Sequence, residues 1–293
     1  MVHHDSVSRK IFNVFNILFF LVIITLCLYP LWYIFIQSLS SGPLAVNAVA
    51  WPINFTLKNY ADVFKNGDVP HAFLISVLRT SIGTACTLLA CMLLGYLFSK
   101  EDMPLRKVMY RILIITMYVS GGLIPTYLVY KAYRLTNSFL VYILPAVVDA
   151  YYVILIKTYV EQLPISVEES AMIDGAGTMC IFLKIILPMS LPIVATIAIY
   201  ASVGQWNSWF DNHIYAISNK KILTLQYMLY RYLQEAESIV RELKERDPGA
   251  AVPITPRGVR MTVTMITVVP VLCIYPFFQR YLIKGLMIGA VKG

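Results

Sequence analysis

Charge is scarce in this chain. Asp, Glu, Lys and Arg make up 14% of its 293 residues and hydrophobic residues 58%, against about 25% and about 45–50% in soluble domains. A soluble one- or two-domain protein does not fit that balance. Cysteine is sparse and scattered, at Cys27, Cys86, Cys91, Cys180 and Cys273. Without a C-x-x-C pair, neither a disulfide framework nor a thiolate metal site is indicated, and thiols buried in apolar runs are expected. His3 and His4 sit on a polar N-terminus, and His71 and His213 have no companion at ligand spacing, so no metal site is assigned. A G-x-x-x-x-G-K-[ST] loop is missing too, which removes ATP hydrolysis from the chain's own chemistry. No nucleophile–base pair suggests an intramembrane enzyme. Internal repeats and low-complexity tracts are also absent.

Long apolar runs are plentiful. Six predicted spans lie at about 11–36, 73–98, 107–130, 139–160, 188–208 and 261–282, each close to the roughly 20 residues that cross a hydrocarbon core. The chain is an integral, multi-pass membrane protein on this reading. The fold class is all-α, because unpaired backbone cannot face lipid. The first run exceeds a signal-peptide core of about 7–15 residues and is taken as an uncleaved span. Pro30, Pro125, Pro145, Pro192, Pro270 and Pro276 fall inside spans and predict kinks in a packed, moving bundle. The net charge of +8 fits basic residues flanking spans, such as Arg9, Lys10, Arg106 and Lys107, rather than nucleic-acid binding. Leaving out the long fifth loop, 209–258, the positive-inside rule puts both termini in the cytoplasm and that loop outside. A charged helix is predicted within it over 224–246, with a solvated face.

Between the fourth and fifth spans lies a cytoplasmic segment, 163–187, that reads as a capped helix-turn-helix. Ser166-x-x-Glu169 has the form of a capping box, and Glu168 and Glu169 suit the positive end of a helix dipole. Gly175, with Gly177 close behind, supplies a left-handed stop. A second short helix is expected from Thr178 to Leu187, ending at Pro188 where the next span begins. Small residues (Ser170, Ala171, Ala176) would let another protein approach closely. An amphipathic connector lying on the membrane surface is the plainer alternative.

The run Glu169-Ser170-Ala171-x-x-Asp174-Gly175-Ala176, followed by Ile185-x-Leu187-Pro188, resembles the "EAA" motif of permease subunits of bacterial ATP-binding-cassette (ABC) importers, with Ser170 replacing an alanine. The closing 285–293 (GLMIGAVKG) is similar to the tail of maltose-permease G-type subunits. The blocks 120–127 (SGGLIPTY) and 204–211 (GQWNSWFD) are similar to oligosaccharide permeases of Gram-positive bacteria. The resemblance implies the six-helix type I importer (MetI-like) fold and a second, related permease as partner. It further implies two copies of an ABC ATPase holding ATP and Mg, a solute-binding lipoprotein outside the cell, and a sugar substrate. This chain itself would bind no cofactor. Glu169 would then pair with a basic residue of the ATPase, Gly175 would set the turn, and Glu168 would join the same coupling segment.

Candidates for the substrate path come from polar groups inside spans, which are costly and default to function. Asp149 is followed by Tyr151 and Tyr152, a carboxylate beside rings that can stack on a sugar; a packing role is the alternative. Gln205, Trp206, Asn207 and Trp209 crowd the end of the fifth span, where an interfacial aromatic belt is the competing reading. Arg79 is expected to snorkel or pair. An ion-coupled secondary transporter would have to rest on Asp149 alone, and the coupling motif is shared with ABC importers of non-sugar solutes.

Overall fold

The computed structural model describes residues 7–65, 68–246 and 258–274, and all regular structure among them is helical. These residues divide into two compact units, one of 7–65 with 231–246 and 258–268, the other of 68–230 with 269–274.

The first unit begins with α1 (Val7–Ser38), which carries Pro30 without breaking. Every side chain from Ile11 to Tyr29 is exposed. A helix apolar on all faces and left exposed among the described residues suits lipid. Beyond it, side-chain amides pin the loop that leads to α2 (Lys58–Lys65). Gln37 donates to the Ala48 carbonyl at 2.8 Å, and Asn59 to the Ser38 carbonyl at 2.9 Å.

The second unit is built around α3 (Asp68–Ser99), an unbroken 32-residue helix. It continues through α4 (Arg106–Tyr118), α5 (Leu123–Ala132), two 3-10 turns at Phe139–Tyr142 and Leu144–Ala146, and α6 (Ala150–Val160). Then come α7 (Ile165–Ile173), α8 (Thr178–Met189, with a π turn at Phe182–Ile186), α9 (Leu191–Asn207) and α10 (Phe210–Tyr215). Two further helices follow in the chain, α11 (Leu225–Arg246) and α12 (Gly258–Ile274), of which only 225–230 and 269–274 belong to this unit. Gly95 lets α3 and α6 meet: a Cβ there would lie 2.5 Å from Ile156 Cγ2 and 3.2 Å from the Lys157 nitrogen. Cys91, Met92, Tyr96, Val153 and Ile156 form the buried centre of that contact.

Two of the expected spans are single helices, α1 and α3, each long and apolar enough to cross a membrane. The others depart from the expectation of continuous spans. The third splits into α4 and α5, because Gly122 takes φ +80° after Ser120-Gly121. The fourth is a bent pair, 3-10 turns joined at 43° to α6, since Pro145 and the capping Asp149 interrupt one regular helix. The fifth starts at Leu191, not Pro188, and α8 meets it at 79°. Counted by length and composition, the described helices give two spans, or up to four with the bent pairs. The sixth begins as α12, and its end, with the tail 285–293, lies outside the described residues. The predicted helix in the fifth loop is α11. All five thiols are free, but Cys27 and Cys273 are exposed rather than buried.

Candidate functional site

The second unit holds two places with chemistry, a polar cavity and the α7–α8 segment. The cavity has a volume of about 300 Å³. Its wall brings together Arg79, Tyr130, Tyr142, Asp149, Tyr152, Gln205, Ser208, Asp211 and Tyr215. Of the residues proposed for a path, Asp149, Tyr152 and Gln205 line it. Tyr151 does not and is half exposed. Trp206 is buried edge-to-face against Phe73, and Trp209 stacks on Tyr230 with centroids 4.1 Å apart. Asn207 is exposed and lines no part of the cavity. A crowded aromatic stretch thus splits into packing on one side and one cavity-lining amide, Gln205, on the other.

Asp149 has two roles. It is the N-cap of α6, its Oδ1 accepting from the Tyr151 and Tyr152 amides at 2.8 and 3.2 Å, which satisfies two donors a helix start leaves open. The capping bonds all fall on Oδ1, and the residue still forms cavity wall. Arg79, only 3% exposed, pairs as expected, and its partners are the part the sequence did not reveal. The guanidinium meets both carboxylate oxygens of Asp211, donates from Nε to Gln205 Oε1 at 2.9 Å and from Nη1 to the Ser208 carbonyl at 3.1 Å. It also lies 4.6 Å from the Tyr142 ring centroid, a cation–π contact. One charge therefore joins α3, the end of α9, α10 and the first 3-10 turn. Burial, and then the nearby Asp211 carboxylate, pushes the Tyr215 phenol upward in pKa, so it stays a neutral hydroxyl at physiological pH. Rings, hydroxyls, an amide and carboxylates around one hollow suit a polyhydroxylated ligand: the faces stack and the acceptors take hydroxyl protons.

The α7–α8 segment corrects several expectations. Ser166 is not a cap. The helix starts at Ile165 with Pro164 in the N-cap position and no side-chain cap, because the proline's fixed φ turns the chain into the helix two residues early. Ser166 instead offers its carbonyl to the Ser170 hydroxyl at 2.8 Å. Glu168 stays in the first turn, but it is 7% exposed and paired with Lys100 rather than displayed. Glu169, Ser170 and Asp174 are exposed, beside the bare apolar side chains of Ile165, Met172, Ile173 and Met179.

Gly175 behaves as expected, with φ +82°. Its amide donates to the Met172 carbonyl and that of Ala176 to the Ala171 carbonyl, at 3.0 and 2.9 Å, the two bonds of a Schellman stop. Ala171 and Ala176 pack inward, as does Leu187. The second helix runs through the exposed Pro188 to Met189. The widened turn before it, with Leu187 N–H donating to the Phe182 carbonyl, accommodates the missing proline donor.

No family model matches the chain. A polygalacturonan/rhamnogalacturonan transport system permease protein of Bacillus subtilis is 31% identical over 98% of this chain and 100% of its own length. Protein LplC of the same organism is 33% identical over 99% and 98%. The chain belongs to the permease subunits of sugar ABC importers. As a permease of that family it is a membrane transport component. A solved bacterial ABC transporter involved in importing the acidic polysaccharide alginate includes a chain of the same fold. The TM-score is 0.82 at 24% identity, over 94% of this permease and 98% of that chain.

Proposed function

We propose that this chain forms half of the translocation path of an ATP-driven, binding-protein-dependent importer of oligosaccharides. Sugar passes by the cavity at Asp149, Tyr152, Gln205 and Tyr215, and the exposed face of α7, with Glu169, Ile173 and Asp174, docks on an ATPase. Hydrolysis, with ATP and Mg, belongs to that ATPase, present in two copies, and a second homologous permease supplies the other half of the path. A binding lipoprotein delivers sugar at the outer face, where the loop 209–258 receives it. The chain crosses the bilayer six times with both termini in the cytoplasm, and nucleic acid plays no part.

The observation that carries this reading is the separation of two unlike surfaces on one rigid helix. α3 holds Arg79 at the cavity and ends beside α7, about 30 Å apart by helical rise. The oligosaccharide assignment draws on the polygalacturonan/rhamnogalacturonan relative. Ion coupling through Asp149 is the weaker reading, since Oδ1 of that carboxylate is committed to capping α6.

The test is sugar uptake and ATP hydrolysis measured together in liposomes holding the whole transporter. Glu169→Lys is expected to leave hydrolysis running and to lower sugar moved per ATP by about tenfold, the effect of opposing a charged contact at an interface. An unchanged ratio in that variant, and in Gly175→Leu, would contradict the docking assignment.

A further inference from the structure

We propose that Lys100 and Glu168 form a positioning pair that locks the coupling helix α7 to the C-terminal end of α3, so that a push on α7 reaches the cavity. The inference rests on the coupling reading of α7 given above and adds the route by which that segment acts. α7 presents two different faces. Glu169, Met172 and Ile173 are exposed, while Glu168 is turned inward at 7% exposure. Its carboxylate meets the ammonium of Lys100, one residue past the end of α3. Lys100 is held in turn over the Tyr96 ring, 4.6 Å from the centroid, and Tyr96 belongs to the buried α3–α6 core.

A pair so enclosed is little screened by salt, and removing one partner strands the other's charge. Its geometry is therefore kept as long as the helices keep theirs. Neighbouring charges brace the same corner through α3 and α6: Arg106 donates to the Phe98 carbonyl at 2.7 Å and to Glu161 at 3.0 Å, and Lys157 to Glu161 at 2.7 Å. Among the described residues, Lys100–Glu168 is thus the ionic link between the docking helix and α3. The close seating of Gly95 on Ile156 makes α3 and α6 move together. About 30 Å back along α3, well inside the helix, stands Arg79, bonded to Gln205 and Asp211 in the cavity wall. A displacement of α7 passed to Lys100 therefore arrives at the residues that shape the cavity.

The experiment uses the complete transporter with its binding protein in liposomes, reading ATP hydrolysis and sugar uptake in the same vesicles. The variants are Lys100→Glu, Glu168→Lys and the exchanged pair carrying both, with Glu169→Lys as the docking control. Each single reversal is expected to lower sugar moved per ATP by about tenfold, as for one partner removed from a mostly buried pair. The exchanged pair should return the ratio to within about twofold of the parent, the signature of a direct interaction. A filler role predicts no such rescue. Where a reversal fails to assemble with its partners, Glu168→Gln takes its place, and a parental ratio in that variant overturns the proposal. So does an exchanged pair as poor as the singles. Uncoupling by Glu169→Lys with parental ratios in the pair variants overturns the positioning role alone, whereas a parental ratio in Glu169→Lys removes the coupling reading itself.

Discussion

Asp149 combines a cap and a cavity wall in one carboxylate, and the two can be pulled apart by substitution. Asparagine caps helices about as well as aspartate, while alanine costs about 1 kcal/mol. Asp149→Ala is therefore expected to lower the thermal stability of the detergent-purified chain, and Asp149→Asn to leave it nearly unchanged. Both should reduce uptake, because both remove a charged acceptor for sugar hydroxyls. Parental uptake in Asp149→Asn would leave the residue a cap and nothing more. A carboxylate inside an apolar run was visible as an oddity in the sequence. Its capping of Tyr151 and Tyr152 was not, because that depends on α6 starting at Ala150. The Arg79–Asp211 pair was equally hidden: Asp211 lies beyond the fifth span, and nothing local connects residues so far apart in the chain.

Among the elements, α3 is the organiser, and its packing makes a specific demand. A Cβ at position 95 would collide with Ile156 and approach the Lys157 backbone nitrogen, so Gly95→Ala must push α3 and α6 apart. The expected cost is about 1–3 kcal/mol, as for other overpacked contacts, read as earlier melting of the purified transporter together with weaker coupling. Unaltered melting would mean the helices are less tightly seated than they stand here. Hydropathy located α1 and α3 well, since an unbroken apolar run of that length leaves few alternatives. It could not see that the third run breaks at Gly122 or that the fourth begins as 3-10 turns, because both runs stay apolar across the interruption. In the coupling segment Gly175 was legible from its own chemistry, the left-handed stop. The capping box misled, because Ser166 and Glu169 have the right spacing but Pro164 starts the helix first.

For the whole molecule, the family membership and the two faces of this chain describe a path and a lever that need partners. The bare apolar surface of α1 suits lipid or another helix, and the exposed face of α7 is the surface proposed for the ATPase. The central claim is that transport is powered by that ATPase and not by an ion gradient. It is tested by sugar uptake into liposomes holding the complex purified through a tag on this chain, with its binding protein on the delivery side and ionophores collapsing every ion gradient. The account predicts uptake that requires both ATP and the binding protein and is indifferent to the ionophores. Uptake by this chain alone, driven by an ion gradient and abolished when it collapses, would contradict it.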